Sequence, residues 1–497
     1  MNLPPPEPIA DLDELSRQVY RHFQRNRGKV DLEKRQKLSE YIRKFHLECG
    51  TLSPAVEKAL KIFGDGEDYV FLWSAHQPNL FPYVGVVRKI VLMEAVKRVI
   101  NEQFGKKVVC LFAIADNVFP DKWVLRASLP RIDAAEGKTV LRMPAEEKNQ
   151  FVIDGYISHP YRISTIEKPD ESVFEKWNET LERWLADSIE MNFKVLRKVG
   201  FRRFWMVKKA GRDRFQKIFD ELKNLMEECW RRCKNFSDFN AFFLSKLVNE
   251  HWGYDTLFAR LSEFNPLMKE KCVEFLSDGE RCNGMFRHVD SRELGQIWVA
   301  PLWYHCECGG KVPLYLKEKK NETLKGKCTN CGRRFSFSIP EMLTKKDLLE
   351  KTSFRAPALI YAFSSVFNPN MYVGGTGGWG NYYGTIFSFS SEKNFDLHPI
   401  AVWNPVDRYV GVGQLNAALY AEIRAFAKET KKRNLIFSSK FSILDYLLNM
   451  GFSEVSEQML SHLLSKRNLR EEVHMKTILD DIFSDDVNFK EIKERVH

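Results

Sequence analysis

The sequence has no run of about 18 uncharged apolar residues, the length a membrane-spanning helix needs. Its first residues, Met1-Asn2-Leu3-Pro4-Pro5-Pro6, have neither the basic start nor the apolar stretch of a secretory leader. It shows no fixed-period repeat, no low-complexity linker and no dominating Lys/Arg block. Ten cysteines in 497 residues are too sparse for a disulfide scaffold, and six of them fall between Cys272 and Cys331. These absences argue against spanning, secreted and solenoid classes, and the expectation is a cytoplasmic protein. Its length suits two to four domains at about 150 residues each. The net charge of +10, with both signs interleaved, mildly favours anionic partners such as nucleotides, phosphates or RNA.

Apolar spacing at Leu15, Val19, Phe23, Leu38, Ile42 and Phe45 predicts an N-terminal helical region over 1–65. Residues 66–165 read as the first part of an α/β core and 166–265 as helical, punctuated by Gly200 and Gly253. A cysteine-rich module occupies 266–342. The α/β pattern returns over 343–415, with Ala358–Phe367 a buried helix and Met371–Val373 and Ile400–Trp403 short strands. A charged helical region follows over 416–497. The expected fold is thus α/β: one parallel-sheet core built from separated segments and carrying inserted modules.

The apolar run Tyr69–Trp73 is followed by Ser74-Ala75-His76-Gln77-Pro78-Asn79-Leu80-Phe81-Pro82, a helical run from Val84 to about Gln103 and a second apolar run from Val108 to Ala115. That is a βαβ unit, and it predicts parallel strands. Ligands of open α/β sheets bind beyond the carboxyl ends of the strands, which makes His76, Gln77 and Asn79 candidate catalytic residues. Asp116-Asn117 closes the second strand, where a carboxylate can bind an amine or move a proton, or simply cap a turn.

Cys306-Glu307-Cys308 and Cys328-Thr329-Asn330-Cys331, with nineteen residues between the pairs, have the spacing of a closed, structural zinc ribbon. Cys272 and Cys282 are candidates for the same site or a second one, and His288 and His305 for further ligands. Ribbons of this kind keep a tRNA partner open. Cys49, Cys110, Cys229 and Cys233 carry no motif and read as packing residues.

Tyr372-Val373-Gly374-Gly375-Thr376-Gly377-Gly378-Trp379-Gly380-Asn381-Tyr382 places five glycines in seven positions after a short strand. Gly375, Gly377 and Gly380 satisfy G-x-G-x-x-G, but no acidic residue follows at the spacing of a dinucleotide site. The loop reads as the lining of a nucleotide or substrate pocket, with Thr376, Asn381 and Tyr382 as polar handles, or as a tight turn. Upstream, Arg355 in Ser353-Phe354-Arg355-Ala356-Pro357 offers a fixed positive fork for a carboxylate or phosphate. His398, Asp407 and Arg408 are weaker candidates.

Ala75-His76-Gln77-Pro78-Asn79-Leu80-Phe81, then Ser353-Phe354-Arg355-Ala356-Pro357, then Tyr372-Val373-Gly374-Gly375-Thr376-Gly377 resemble, in order, three segments of the cysteine ligase of bacillithiol synthesis. Asn235-Phe236-Ser237-Asp238-Phe239 and Glu250–Asp255 resemble its helix ahead of a second core segment. The resemblance touches about half the chain in patches. It implies a Rossmann-like core related to class I aminoacyl-tRNA synthetases and amide-bond formation between an amino acid, cysteine in that family, and an amine. It also implies small-molecule substrates, a nucleotide such as ATP, and roles for Asp116 and Arg355. The chain departs from the family in its shortened acidic run, in the glycine loop, and in its cysteine module. His76–Asn79, Arg88-Lys89-Ile90 and Asp116-Asn117 also resemble WbqC-like proteins of sugar-modifying clusters. The leading expectation is therefore a carbon–nitrogen ligase with structural zinc. A tRNA-binding or tRNA-modifying protein and a sugar-nucleotide transferase are the alternatives. A homodimer stays open.

Overall fold

The computed structural model describes residues 10–66, 68–118, 124–131, 138–144, 151–153, 156–158, 162–198, 204–277, 285–291, 294–318, 322–328, 330–375, 377, 383–405, 407–408, 411–412 and 441–474. Its centre is a five-stranded, all-parallel sheet. The strands, in chain order, are β1 (Val70–His76), β2 (Val108–Ile114), β3 (Leu257–Arg260), β4 (Met371–Gly374) and β5 (Ile400–Val402). In space they run β3-β2-β1-β4-β5. Register is set by pairs such as Leu72 with Cys110 and Met371, Phe112 with Phe258, and Gly374 with Val402.

The strands read as continuous apolar runs because both faces of the sheet are covered. Side chains alternate across a strand. Val70, Leu72, Cys110 and Phe112 enter one core with Leu15 and Val19 of the Leu12–Asn26 helix and with the Val84–Phe104 helix. Phe71, Trp73, Val109 and Leu111 enter the other, with Leu38 and Ile42 of the Leu32–Cys49 helix and Phe363 of the Ala356–Phe367 helix. The crossover helix Val84–Phe104 ends at Gly105, whose φ of 61° lets its N–H return to Asn101 O.

A second sheet is six-stranded and antiparallel. Its long strand Gly295–His305 pairs with Arg287–Ser291, Lys311–Leu316 and Thr352–Phe354, and Thr323–Lys327 and Arg334–Ser338 continue it. Two long helices, Glu171–Lys198 and Phe204–Arg232, pack on each other beside the first core.

One sequence expectation changes here. The segment before Leu261, read as helical, contains β3. Its four residues are too few to display a period, and it is recognised as strand only by pairing with β2. Arg355 directly follows the antiparallel strand Thr352–Phe354, and its N–H donates to Pro301 O.

Candidate functional site

From β1 the chain continues to β2 on one side, and β4 lies on the other, so the strand order reverses between β1 and β4. A crevice opens at the carboxyl ends of two strands that diverge in this way, and ligands of open parallel sheets bind there. His76 ends β1 and Gly374 ends β4, and these strands are hydrogen-bonded neighbours. Two motifs almost 300 residues apart in sequence thus meet at one edge of the sheet.

His76 Nδ1 lies 2.9 Å from the Gln77 carbonyl and Nε2 lies 3.1 Å from Tyr83 Oη. A carbonyl only accepts, so Nδ1 carries the proton and Nε2 accepts from the tyrosine. Burial and the neighbouring Lys89 charge pull the imidazole down to about 3, against the Gln77 carbonyl and the Asn79 amide. Both nitrogens are engaged within the protein, and His76 stands as a neutral imidazole between the Gln77 carbonyl and the Tyr83 hydroxyl. Asn79 is 3% exposed, and beyond the His76 imidazole its side chain meets no hydrogen-bond partner among the described residues.

Sequence reasoning did not assign Lys89 a role. It lies on the Val84–Phe104 helix, is 7% exposed, and donates from Nζ to Ala75 O at 2.9 Å. No carboxylate pairs with it among the described residues. Burial pulls its pKa down to about 7. The available signal was Arg88-Lys89, a charged pair inside the otherwise apolar run Val84–Met93.

A Cβ built on Gly375 would stand 3.8 Å from Lys89 Cε. A Cβ on Gly374 would stand 1.6 Å from Tyr383 Oη, and that hydroxyl donates to Gly375 O at 3.1 Å. Gly374 is therefore required by the tyrosine packed over it. At Gly377 a Cβ would meet nothing within 4 Å. Thr376, Gly378, Asn381 and Tyr382 lie outside the described residues.

Asp116 follows the end of β2 and is 2% exposed. Its Oδ1 accepts from Ser262 N at 2.9 Å and its Oδ2 from the Ser262 hydroxyl. Burial pushes the carboxyl up to about 6, opposed by these bonds and by Arg260. Such a group exchanges a proton close to neutral pH.

Arg355 lies over the Trp303 ring, its Cζ 4.4 Å from the centroid, and Lys311 Nζ lies 5.0 Å from the same centroid. Lys311 is 1% exposed, and burial, then Arg355 and Arg162, hold it well below the ordinary lysine range, with Asp116 opposing. Arg162 reaches His305 Nδ1 at 3.4 Å, and His305 Nε2 meets Ser353 Oγ at 2.8 Å. Lys311, Arg162, Arg355 and Asp116 thus feel one another's charge, and Arg162 also feels the Cys306 and Cys308 thiols.

The thiols of Cys306, Cys308, Cys328 and Cys331 lie within 4.8 Å of one another and can hold a metal ion. Two hairpin turns bring them together. Gly309 and Gly332 adopt φ of 85° and 74°, and Cys306 N bonds Gly310 O while Gly332 N bonds Cys328 O. A Cβ on Gly310 would stand 2.5 Å from Cys328 Sγ, so only glycine lets the sulfurs converge. Burial raises the Cys308 thiol, but the Gly310 N–H and the Asn330 amide outweigh it and bring it to about 7. All four donors are thiols, which suits a soft or borderline cation in a closed site.

The remaining candidates stand elsewhere. Cys272 is buried on the Lys269–Ser277 helix, 3.8 Å from Thr352 Oγ1, outside the four-thiol group. Cys282 lies outside the described residues. His288 lies against Trp298, the two rings tilted at 58° with centroids 5.0 Å apart. His398, before the amino end of β5, bonds Ser364 Oγ at 2.7 Å and the Pro399 carbonyl at 3.1 Å, a satisfied core histidine. Asp407 and Arg408 pair with Val473 and His474 in a two-stranded ladder. No helix among the described residues is long and apolar enough to cross a membrane. No family model matches the chain, and no curated protein matches it.

Proposed function

We propose that the protein is a carbon–nitrogen ligase that joins an amino acid, cysteine being the first candidate, to an amine at the carboxyl edge of a Rossmann-like sheet. The observation that carries this reading is the meeting of His76 and Gly374–Gly375 at the switch between β1 and β4, with Lys89 buried beside Gly375. Amide formation needs an activated carboxyl and a neutral amine. Asp116, with its raised pKa, takes the proton from the incoming ammonium and orients the amine. Arg355, backed by Lys311 on Trp303, holds a substrate carboxylate. His76 fixes the Tyr83 hydroxyl at the floor of the crevice. A bound nucleotide such as ATP supplies the driving force for carboxyl activation. The four thiols hold a structural zinc ion in a ribbon, which the convergence at Gly310 supports.

Metabolite comparison of cells with and without the protein tests this reading. The expected result is an accumulated primary amine and loss of its aminoacylated product. Unchanged amine and amide pools would overturn it.

A further inference from the structure

Lys89 is costly where it stands. A buried ammonium is unfavourable unless a counter-charge or a full set of acceptors compensates, and among the described residues the partner of this one is the single carbonyl of Ala75. Asn79 presents a second cost, a buried carboxamide that meets, among the described residues, no polar group beyond the His76 imidazole. Asn79 lies in the loop that joins β1 to its crossover helix and Lys89 in the second turn of that helix, both act on His76, and Gly375, just past β4, approaches Lys89 without a side chain. The helix carrying Lys89 starts with no acidic residue in its first turn and no side-chain cap at Tyr83, so its positive end is not neutralised locally. Each feature is unfavourable in isolation, and an oxyanion placed there would satisfy them together.

We propose that Lys89, Asn79 and the Gly375 backbone form a cradle for a phosphoryl group. This rests on reading the β1–β4 switch as the ligand crevice and adds the anchor for the phosphates. Lysine serves as a point charge for phosphate, glycine lets the backbone approach its oxygens, and the carboxamide supplies a neutral donor. The ligand class is a phosphate ester or anhydride, either free phosphate or pyrophosphate or the phosphate chain of a nucleotide.

Calorimetric titration of the full chain with phosphate, pyrophosphate, ADP, ATP and adenosine tests this without turnover. Pyrophosphate, ADP and ATP are expected to bind, and adenosine is not. Binding of pyrophosphate as tight as ADP identifies the phosphate chain as the ligand, and ADP tighter than pyrophosphate identifies a nucleotide. Lys89→Met removes the charge at similar volume and is expected to weaken ADP about 10- to 100-fold, the scale of a charged hydrogen bond. Asn79→Asp, which adds a like charge, is expected to weaken it at least as much, and Lys89→Arg is expected to retain most of the affinity. Thermal unfolding establishes that the variants are folded. A folded Lys89→Met with wild-type ADP affinity overturns the proposal, as does adenosine binding as tightly as ADP, or no binding of any phosphate compound. Retained phosphate binding with no amide product would defeat the ligase reading and leave this inference standing. An amide product with unaltered ADP binding in Lys89→Met would do the reverse.

Discussion

The carbonyl of Gly309, inside the first thiol-bearing turn, accepts from both the backbone N–H of Arg162, at 3.1 Å, and its Nε, at 3.3 Å. The next two residues carry the connection inward: Ile163 N bonds Val118 O at 2.9 Å and Ser164 N bonds Asp116 O at 2.7 Å. The four-thiol turn is thereby tied through one short segment to the carboxyl edge of β2.

Loss of the metal ion should be felt at Asp116. Cys308→Ser with Cys331→Ser is expected to abolish bound zinc, lower Tm by about 4 °C or more, and raise hydrogen exchange at Ile163 and Ser164 by about tenfold or more. Metal analysis, thermal unfolding and exchange mass spectrometry measure the three effects. Unchanged exchange at Ile163 and Ser164 in a zinc-free protein would show that the link transmits nothing.

Two glycines of one loop should respond differently to the same change. Gly374→Ala forces a Cβ to within 1.6 Å of Tyr383 Oη and is expected to cost about 1–3 kcal/mol by overpacking. Gly377→Ala meets nothing within 4 Å and is expected to stay within about 0.5 kcal/mol of wild type. Denaturant titration of both variants checks the contrast.

Arg260 at the end of β3 binds Asp238 at 2.7 Å and Glu48 at 2.7 Å, and lies 3.5 Å from Glu263. Arg260→Leu leaves the buried Asp238 carboxylate without its cation and is expected to cost about 3–5 kcal/mol. Pairing it with Asp238→Leu should recover part of that loss, which equilibrium unfolding of the single and double variants measures.

Stability should fall on mild acidification. His46 and His398 are fully buried, and burial depresses each to about 3. A histidine with a depressed folded pKa binds more protons when unfolded. Its contribution is complete above about pH 6.5 and is lost as pH falls toward the folded value, at up to about 3 kcal/mol per pH unit for the pair. Asp116 acts in the opposite sense. Its folded pKa, raised to about 6, lowers stability as pH rises from about 4 to 6, on the order of 3 kcal/mol in all. Chemical denaturation of wild type and Asp116→Asn at pH 7.5, 6.5 and 5.5 resolves the terms, and the variant should lose more stability than wild type on acidification.

The central strands were legible because a strand buried on both faces writes an uninterrupted apolar run, as Val70–Trp73 and Val108–Ile114 do. The four-thiol group was legible because short cysteine pairs bring their own turn glycines. β3 was not legible, since its length is below what a period can show. The setting of Arg355 was not legible because the strand before it joins the antiparallel sheet through Trp303 and Leu302, a pairing about 50 residues distant that no local pattern announces. The engagement of both His76 nitrogens depends on Tyr83 folding back over a turn. The importance of Lys89 depends on which face of its helix meets Gly375. Sequence placed the residues at the sheet edge, and tertiary packing decided which of them have groups to offer a ligand.

The most direct test of the ligase assignment is mass spectrometry of reactions containing purified protein, ATP, isotope-labelled amino acids and a cellular amine extract. The account predicts a new labelled compound equal in mass to amine plus amino acid less one water. It also predicts that the rate of formation falls about 100-fold or more in folded Asp116→Asn, the scale of lost proton-transfer catalysis. Absence of any labelled condensation product with all twenty amino acids, or an Asp116→Asn variant as active as wild type, would contradict it.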